Sequence, residues 1–191
     1  LKSLRANYKK ESEENLISIV ANELKNEKTI GWFQGKMEFG PRALGARSIL
    51  ADPRSDKMQK ELNLKIKFRE SFRPFAPIVL KEKVSKWFNF NVSSPYMLLV
   101  SDVKDNKKLE IKEKNYKGLK KLYLKRSIIP AVTHVDYSAR IQTLTKDNKR
   151  IYKLLKKFDE ITNCPILVNT SFNVKDEPIV CSPLDAYNCF I

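Results

Sequence analysis

The segment Gly35–Arg54, GKMEFGPRALGARSILADPR, combines glycine with arginine at close spacing, and four of the chain's five glycines lie in it or just before it. Glycine lets a backbone approach a ligand closely, and arginine binds phosphate or carboxylate as a planar fork. The segment therefore predicts an anion site in which Arg42 and Arg47 contact the ligand. The alternative is a surface turn region with scattered charge. No GxxxxGK[ST] string occurs, so a Walker phosphate loop is excluded.

A second basic cluster lies in Lys67–Pro74, KFRESFRP. If this segment is extended, Lys67, Arg69 and Arg73 have even spacing and share one face, while the two phenylalanines between them pack on the other. Three cations on one face suit a triphosphate. The same alternation also occurs on the charged outer face of any half-buried strand.

Polar residues follow a compact apolar segment in the sequence PILVNTSFN. Ligands of α/β sheets usually bind at the carboxyl ends of strands, where Asn169, Ser171 and Asn173 are expected here. Hydroxyl and amide groups at this spacing can hold a phosphate oxygen or a small carbonyl group. The alternative is an Asx or Ser turn that caps the strand.

The only histidine lies in the sequence HVDYSAR, in which Asp136 would sit beside His134 on a strand face. A lone histidine is more often structural than catalytic. No GxSxG nucleophile elbow occurs, so the segment does not favour a serine hydrolase. Arg140 is the better candidate here, as a further phosphate ligand.

Alternating helices and strands must position these groups, and together they predict a single α/β (α+β) domain spanning residues 1–191. Helices are predicted at 11–25, 56–67, 84–90 and 148–162, with a last one capped by Ser182. Strands are predicted at 29–34, 75–80, 96–103, 165–169 and 178–181, with one or two more in 130–144. The lysine-rich stretch 104–126 reads as a solvated surface excursion without chemistry.

Composition narrows the class of protein. A net charge of +15 permits a nucleic-acid partner or a polyanionic small ligand. Three cysteines without CxxC spacing and one histidine cannot form the usual protein-only zinc site. A reducing cytoplasm is the expected compartment, and no apolar run approaches the ~18–20 residues of a membrane helix. The polar start and the helix cut short at Ile191 suggest a piece of a longer protein.

Four strings carry a resemblance to a known family: EFGPRALGARSILADPR, KFRESFRPFAP, HVDYSARIQT and NTSFNVKDEPIVCSPLDAY. In this order they resemble the C-terminal domain of the O-carbamoyltransferases, enzymes of antibiotic carbamoylation and nodulation-factor modification. The likeness covers residues 29–76 and 130–191. It implies a YrdC-like fold, a twisted mixed sheet with flanking helices and a basic concave face.

The resemblance also implies a reaction. In such enzymes this domain converts carbamoyl phosphate and ATP, accompanied by Mg²⁺, into carbamoyl-adenylate with release of pyrophosphate. An N-terminal sugar-kinase-like domain, absent from these 191 residues, holds iron and transfers the carbamoyl group to a hydroxyl whose identity it selects. No metal site is expected in the present chain. ATP, carbamoyl phosphate and that N-terminal domain are thus the expected partners.

The resemblance assigns roles to individual residues. Ser171 and Asn173 correspond to a Ser-x-Asn element and should orient the reacting group, while Lys67 and Arg69 correspond to a Lys-x-Arg element. The full expected ligand-binding set is Arg42, Arg47, Lys67, Arg69, Arg73, Arg140, Asn169, Ser171 and Asn173, of which Lys67, Arg140, Ser171 and Asn173 would serve catalysis.

Two alternatives stay open at this point: a nucleic-acid-binding module, and synthesis of threonylcarbamoyl-adenylate. One departure from the family pattern is Asp176, which stands where glycine is common. If that position needs a positive φ, aspartate adopts it less easily and the loop after Asn173 should differ.

Overall fold

A computed structural model describes residues 6–111 and 116–191. The strands are β1 (Ile30–Phe33), β2 (Arg47–Ala51), β3 (Ala76–Leu80), β4 (Leu99–Asp102), β5 (Ser138–Leu144) and β6 (Ile166–Ser171). The helices are α1 (Glu13–Lys25), α2 (Met58–Glu61), α3 (Lys149–Thr162) and α4 (Pro183–Phe190). A π-helical turn, Leu62–Ile66, continues α2, and short 3₁₀ turns occur at Lys81–Lys86, Asp105–Lys107, Gly118–Tyr123, Pro130–Val132 and Lys146–Asn148.

All six strands form one sheet in the order β1-β2-β6-β3-β5-β4. Every neighbouring pair is antiparallel except β3 and β5, which are parallel. The sheet is therefore mixed, and the predicted α/β (α+β) class is confirmed. In register, Asn169 of β6 lies between Leu50 of β2 and Ala76 of β3, so the polar end of β6 lies in the middle of the sheet.

Helices α1 and α3 pack against each other and supply apolar side chains to the core. In α3, Ile151, Leu154, Leu155 and Phe158 recur at helical spacing and are buried, whereas the lysines between them face solvent. At the start of α4 the Ser182 side chain accepts from the Asp185 amide at 3.2 Å, which confirms the predicted cap.

Three predicted elements differ in the structure. Residues 67–74 form no strand, because Lys67 ends a helical turn and Phe68 has a φ of +44° with its ring exposed. Residues 178–181 form no strand. The Val180 amide donates one hydrogen bond to Phe172 O, which is not enough to form a strand pair. Residues 84–90 form no helix, because a 3₁₀ turn, Lys81–Lys86, ends there and Phe88 forms an isolated β-bridge with Val103. Residues 130–144, by contrast, contain one strand, β5, within the predicted one or two.

The lysine-rich stretch 104–126 is not entirely a solvated excursion. Its residues 112–115 lie outside the described ones, and much of the rest is exposed. Arg126, however, is only 5% exposed and donates to the backbone carbonyls of Leu124 and Lys121. We call residues 116–126 the lobe below.

Gly45 should resist substitution more than other glycines of its loop. Its φ is +114°, and an added Cβ would lie 2.8 Å from Ile151 Cδ1 in the core. We expect Gly45→Ala to lower the free energy of unfolding by more than the roughly 1–3 kcal/mol of backbone strain alone. Gly40→Ala is the matched control, because Gly40 has a φ of +131° and nothing within 4 Å of the added atom. Equal losses in urea unfolding of the two variants would contradict the predicted clash.

Candidate active site

Four arginines from separate parts of the chain line one cavity of about 510 Å³. Arg42 comes from the loop between β1 and β2, Arg69 and Arg73 come from the loop before β3, and Arg140 comes from β5. Asn169 and Ser171, near the end of β6, line the same cavity. Among the described residues, its walls include no aspartate or glutamate. The cavity, which we call the arginine cavity, thus brings together six of the nine residues in the predicted ligand-binding set.

The loop that carries Arg42 is held down by hydrogen bonds from three side chains. Glu38 Oε1 accepts from the backbone amides of Leu44 and Ala46 at 2.7 and 2.6 Å. The buried amide of Asn169 donates to Ala43 O at 3.0 Å and to Gln142 Oε1 at 2.7 Å, and Gln142 in turn donates to Leu44 O. Side chains of β5 and β6 therefore fix the loop directly, and the loop in turn fixes the position of Arg42. Asn169 Oδ1 is buried and has no described partner.

The loop that carries Arg69 and Arg73 is organised by Asn63, a fully buried polar residue of the π-helical turn. Its Nδ2 donates to Ser71 O at 3.2 Å and to Arg73 O at 2.7 Å, and its Oδ1 accepts from Arg69 Nε at 2.6 Å. The Arg69 guanidinium also lies 5.0 Å from the centre of the Phe75 ring. The two arginines reach the cavity through this anchor and not through strand alternation.

The electrostatics of the cavity disfavour its own cations. Burial, and then the nearby charge of Arg42, lowers the pKa of Arg140; burial, and then Arg73, lowers the pKa of Arg69. Within the described residues, the Nε atoms of both Arg42 and Arg140 are buried without a hydrogen-bond partner. Like charges gathered without an anion cost free energy, and an anionic ligand removes that cost.

Lys67 lies beside the arginine cavity and ties two predicted residues together. Its Nζ donates to Ser171 O at 2.7 Å and Oγ at 3.2 Å, and to Asn173 O at 2.9 Å and Oδ1 at 2.7 Å. Ser171 Oγ donates to Asn173 Oδ1 at 2.7 Å. The structure therefore brings Lys67, Ser171 and Asn173 into one cluster, of which Ser171 reaches the cavity wall.

We expect Lys67 to make stability depend on pH. Burial, followed by the charge of Arg69, lowers its pKa from 10.5 to about 8. Between these pH values the unfolded chain binds more protons than the folded one, so the free energy of unfolding rises with pH across that window. Below pH 8 both states are protonated and the cost of burying the charge is fully present. In urea titrations, wild type should gain stability relative to Lys67→Met between pH 8 and 10.5; a flat or falling difference would contradict this.

Arg47 does not belong to the cavity, contrary to the sequence prediction. Its side chain is 4% exposed, and its guanidinium lies 3.6 Å from the centre of the Phe33 ring. It donates to the backbone carbonyls of Gln34, Gly35, Ala46 and Cys181 at 2.9–3.3 Å. The Arg47 guanidinium is thus already bound by backbone carbonyls of the chain, and Arg47 is a structural residue.

His134 and Asp136 do not form the strand-face pair that their spacing suggests. Asp136 Oδ1 accepts from the Ser138 amide at 3.0 Å and from Ser138 Oγ at 2.7 Å, which closes a turn ahead of β5. His134 lines the arginine cavity, and burial lowers its pKa, with the Asp136 carboxylate acting in the opposite direction.

The loop after Asn173 has a positive φ at Asp176, the position where the family commonly has glycine. Asp176 has a φ of +62°, in the left-handed region that favours glycine. Asn173 Nδ2 donates to Glu177 O at 2.8 Å, across the same turn. Asp176 therefore adopts the left-handed backbone conformation that favours glycine.

Sequence reasoning missed three residues that position the cavity: Glu38, Asn63 and Gln142. Glu38 and Gln142 lie inside two of the strings that carry the family resemblance, so the motifs contained them without indicating a role. Asn63 had one signal, a polar residue among the apolar positions of a predicted helix.

Across residues 6–111 and 116–191, no group of three or more His, Cys, Asp or Glu side chains is placed to hold a metal ion. In the same ranges, no helix has the length and apolar character needed to cross a membrane.

The structure is an α/β domain with a cavity whose described walls carry arginines and no carboxylate, and comparison with known proteins identifies its family. The family model "Carbamoyltransferase C-terminus" matches residues 21–191. The chain belongs to this family, which confirms the resemblance seen in its motifs.

Relatives agree with this assignment, and one solved structure shares the fold. Nodulation protein NolO of Bradyrhizobium diazoefficiens is 40% identical over 182 residues, covering 93% of this chain and 30% of that protein. An uncharacterized protein of Synechocystis, sll1178, is 54% identical over 192 residues, covering 99% of this chain and 31% of that protein. The chain thus spans about a third of the length of these relatives. A crystal structure of full-length HypF in its phosphate- and nucleotide-bound form shares the fold, with a TM-score of 0.53 at 16% identity over 96% of this chain and 20% of that one.

Proposed function

We propose that this domain forms carbamoyl-adenylate from ATP and carbamoyl phosphate. The observation that carries the proposal is the arginine cavity, in which four cations from three chain segments face one space without a described carboxylate. Joining two polyanions requires a site that screens their mutual repulsion, and fixed guanidinium groups supply this without a covalent nucleophile. Membership of the carbamoyltransferase C-terminus family supports the choice of a carbamoyl donor.

The reaction balances in two steps. Carbamoyl phosphate loses its phosphoryl group to water, which gives inorganic phosphate and carbamate. A carbamate oxygen then attacks the α-phosphorus of ATP, the bond from that phosphorus to the bridging oxygen of the β-phosphate breaks, and pyrophosphate leaves with the electron pair. Mg²⁺ enters with ATP as part of the substrate and needs no protein cage.

The chain's own residues have separable tasks in this scheme. Arg69, Arg73 and Arg140 bind the phosphates of ATP and stabilise the departing pyrophosphate, and Arg42 holds the carbamoyl phosphate. Ser171 turns its one hydroxyl hydrogen from Asn173 Oδ1, to which it donates in the free chain, to the α-phosphate at the reacting centre. Lys67 fixes Ser171 and Asn173 from behind, so its part in catalysis is to position the neutral donors.

The remaining two thirds of the full-length relatives bear on the fate of the intermediate. We infer that carbamoyl-adenylate passes from this domain to another part of a longer protein, which transfers the carbamoyl group to a hydroxyl acceptor. Iron, if the full protein uses it, belongs to that part. This transfer lies downstream of the chemistry assigned to the arginine cavity.

Pyrophosphate release by the 191-residue chain tests the proposal. We expect release to require both MgATP and carbamoyl phosphate, and Ser171→Ala to lower the turnover rate more than the affinity for ATP. Replacing carbamoyl phosphate with threonine and bicarbonate is the matched control. Release that depends on threonine and ignores carbamoyl phosphate would overturn the proposal in favour of threonylcarbamoyl-adenylate synthesis. Tight RNA binding with a steep salt dependence and no ATP binding would overturn it in favour of a nucleic-acid module.

A further inference from the structure

The hydrolytic step of the proposed reaction needs a group that accepts a proton. Water that attacks the phosphorus of carbamoyl phosphate must lose a proton as the new bond forms. Arginine cannot accept that proton, because its guanidinium stays protonated in proteins. The four arginines of the cavity can therefore hold the substrate, but they cannot activate the water.

His134 is the one side chain in the described wall of the arginine cavity that takes up a proton near neutral pH. The other described wall residues carry guanidinium, apolar, hydroxyl or amide side chains. Lys67 lies beside the cavity, but its Nζ donates hydrogen bonds to Ser171 and Asn173. Within the described wall, the task of accepting a proton thus falls to His134.

The turn ahead of β5 holds His134 through its backbone. The His134 amide donates to Ser138 O at 2.9 Å, and His134 O accepts from the Tyr137 amide at 3.0 Å. Asp136 closes the same turn by accepting from Ser138. None of these hydrogen bonds uses a ring nitrogen of His134, so the imidazole can accept a hydrogen bond from a water in the cavity.

His134 also lines a neighbouring cavity of about 400 Å³, whose walls include Phe72 and part of the lobe. The rings of Phe72 and Tyr123 meet there edge to face, with centroids 6.4 Å apart. The charged and titratable residues of this second wall are Asp56, Tyr123, Lys125 and Arg126. Because Asp56 forms an ion pair with Lys125 at 2.7 Å, these described groups leave a net positive charge on this side of His134.

The surroundings of His134 favour its neutral imidazole, which is the form that accepts a proton. Burial lowers the pKa of His134, while the Asp136 carboxylate opposes this shift and the charge of Arg140 adds to it. The remaining arginines of the cavity also face it as cations. A general base acts only in its deprotonated form, so the shift has the direction that this role requires.

We propose that His134 is the general base that activates water for the hydrolysis of carbamoyl phosphate. This inference rests on the proposed function, because it assigns a residue to the first of its two steps. The oxygen of the water bonds to phosphorus, the bond from phosphorus to the carbamoyl oxygen breaks, and carbamate takes the electron pair of that bond. The proton of the water goes to the imidazole, which returns it to solvent after phosphate and carbamate have formed.

A carbamate source that bypasses the hydrolytic step separates this role from adenylation. Ammonium and bicarbonate form carbamate in solution, so with MgATP they require only the second step. With carbamoyl phosphate, we expect His134→Ala and His134→Gln to lower phosphate release by the chain about 10²- to 10⁴-fold, the range for general acid–base catalysis. With ammonium bicarbonate, both variants should release pyrophosphate at the wild-type rate. Val135→Ala is the matched control, because Val135 is exposed and lies outside the described wall of the arginine cavity.

The pH dependence of phosphate release gives a second readout. The wild-type rate should fall as the solution becomes more acidic than pH 6.5, because the lowered pKa of His134 lies below that ordinary value. This acid limb should be missing in His134→Gln, whose amide does not titrate in this range. Urea unfolding of the variants checks that each remains folded.

Each other outcome is decisive. Wild-type phosphate release in both His134 variants would overturn the inference and leave the proposed function intact, since the substrate would then take the proton itself. Equal loss of pyrophosphate release with both carbamate sources would also overturn it, because His134 would act in binding. Recovery in His134→Gln but not in His134→Ala would reduce the role of His134 to a hydrogen bond. A wild-type chain that released no pyrophosphate from either source would overturn the proposed function and the inference together.

Discussion

Arg140→Met is expected to weaken ATP binding by about 1.5–3 kcal/mol, or about 10- to 150-fold, while leaving the free protein at least as stable as wild type. The loss of affinity is that of a hydrogen bond to a charged group. The stability should not fall because Arg140 lies near Arg42, its Nε has no described partner, and burial already lowers its pKa. Calorimetric titration with MgATP and urea unfolding of the free chain measure the two effects.

Arg140→Lys is the matched control, because it keeps the charge and loses the planar fork. We expect its affinity for ATP to lie between those of wild type and Arg140→Met. A variant Arg140→Met that kept wild-type affinity, or that lost both affinity and stability, would show that this guanidinium serves the fold and not the ligand.

Arg47→Ala should have the opposite signature, a large loss of stability. Its guanidinium is buried and donates to four backbone carbonyls, from two distant parts of the chain. A buried polar group left unsatisfied costs about 1–3 kcal/mol, so we expect the free energy of unfolding to fall by roughly 3–5 kcal/mol in urea denaturation. Arg47→Lys should recover only part of this, since an ammonium cannot reach all four carbonyls.

The contrast between these two arginines separates ligand binding from folding. If Arg47→Ala stayed within about 1 kcal/mol of wild-type stability and lost ATP binding instead, the sequence-based assignment of Arg47 to the ligand would be right and its structural role wrong.

The sequence predicts which residues come together, but it predicts less well which contacts hold them in place. Arg42, Arg69, Arg73, Arg140 and Ser171 converge as their motifs implied. Arg47 shows the limit: a glycine-rich segment predicts donors for anions, but backbone carbonyls compete for the same guanidinium. That competition is decided by the tertiary contact with Cys181, 134 residues away, which no local pattern reveals.

The segment 67–74 shows a second limit. Even spacing suggests strand alternation, yet a π-helical turn and the positive φ of Phe68 replace the strand. Two of its cations still reach the cavity because the buried Asn63 binds both ends of the loop. A tertiary anchor of this kind overrides periodicity, and a single sequence carries little sign of it.

The arrangement of the sheet was likewise only partly accessible. Local periodicity found most strands, because burial on both faces leaves continuous apolar runs such as those of β3 and β6. The order β1-β2-β6-β3-β5-β4 depends on long-range pairing. The place of the lobe against Phe72 has the same origin, and so the lysine-rich composition concealed its contribution to a cavity wall.

A crystal structure of the chain with a non-hydrolysable ATP analogue would show whether the arginine cavity binds the nucleotide. We expect phosphate oxygens within about 3.2 Å of guanidinium nitrogens from at least two of Arg42, Arg69, Arg73 and Arg140, with the α-phosphate next to Ser171. Nucleotide bound instead in the lysine-lined groove at the start of α3, around Lys149 and Lys153, with the arginine cavity empty, would contradict this expectation.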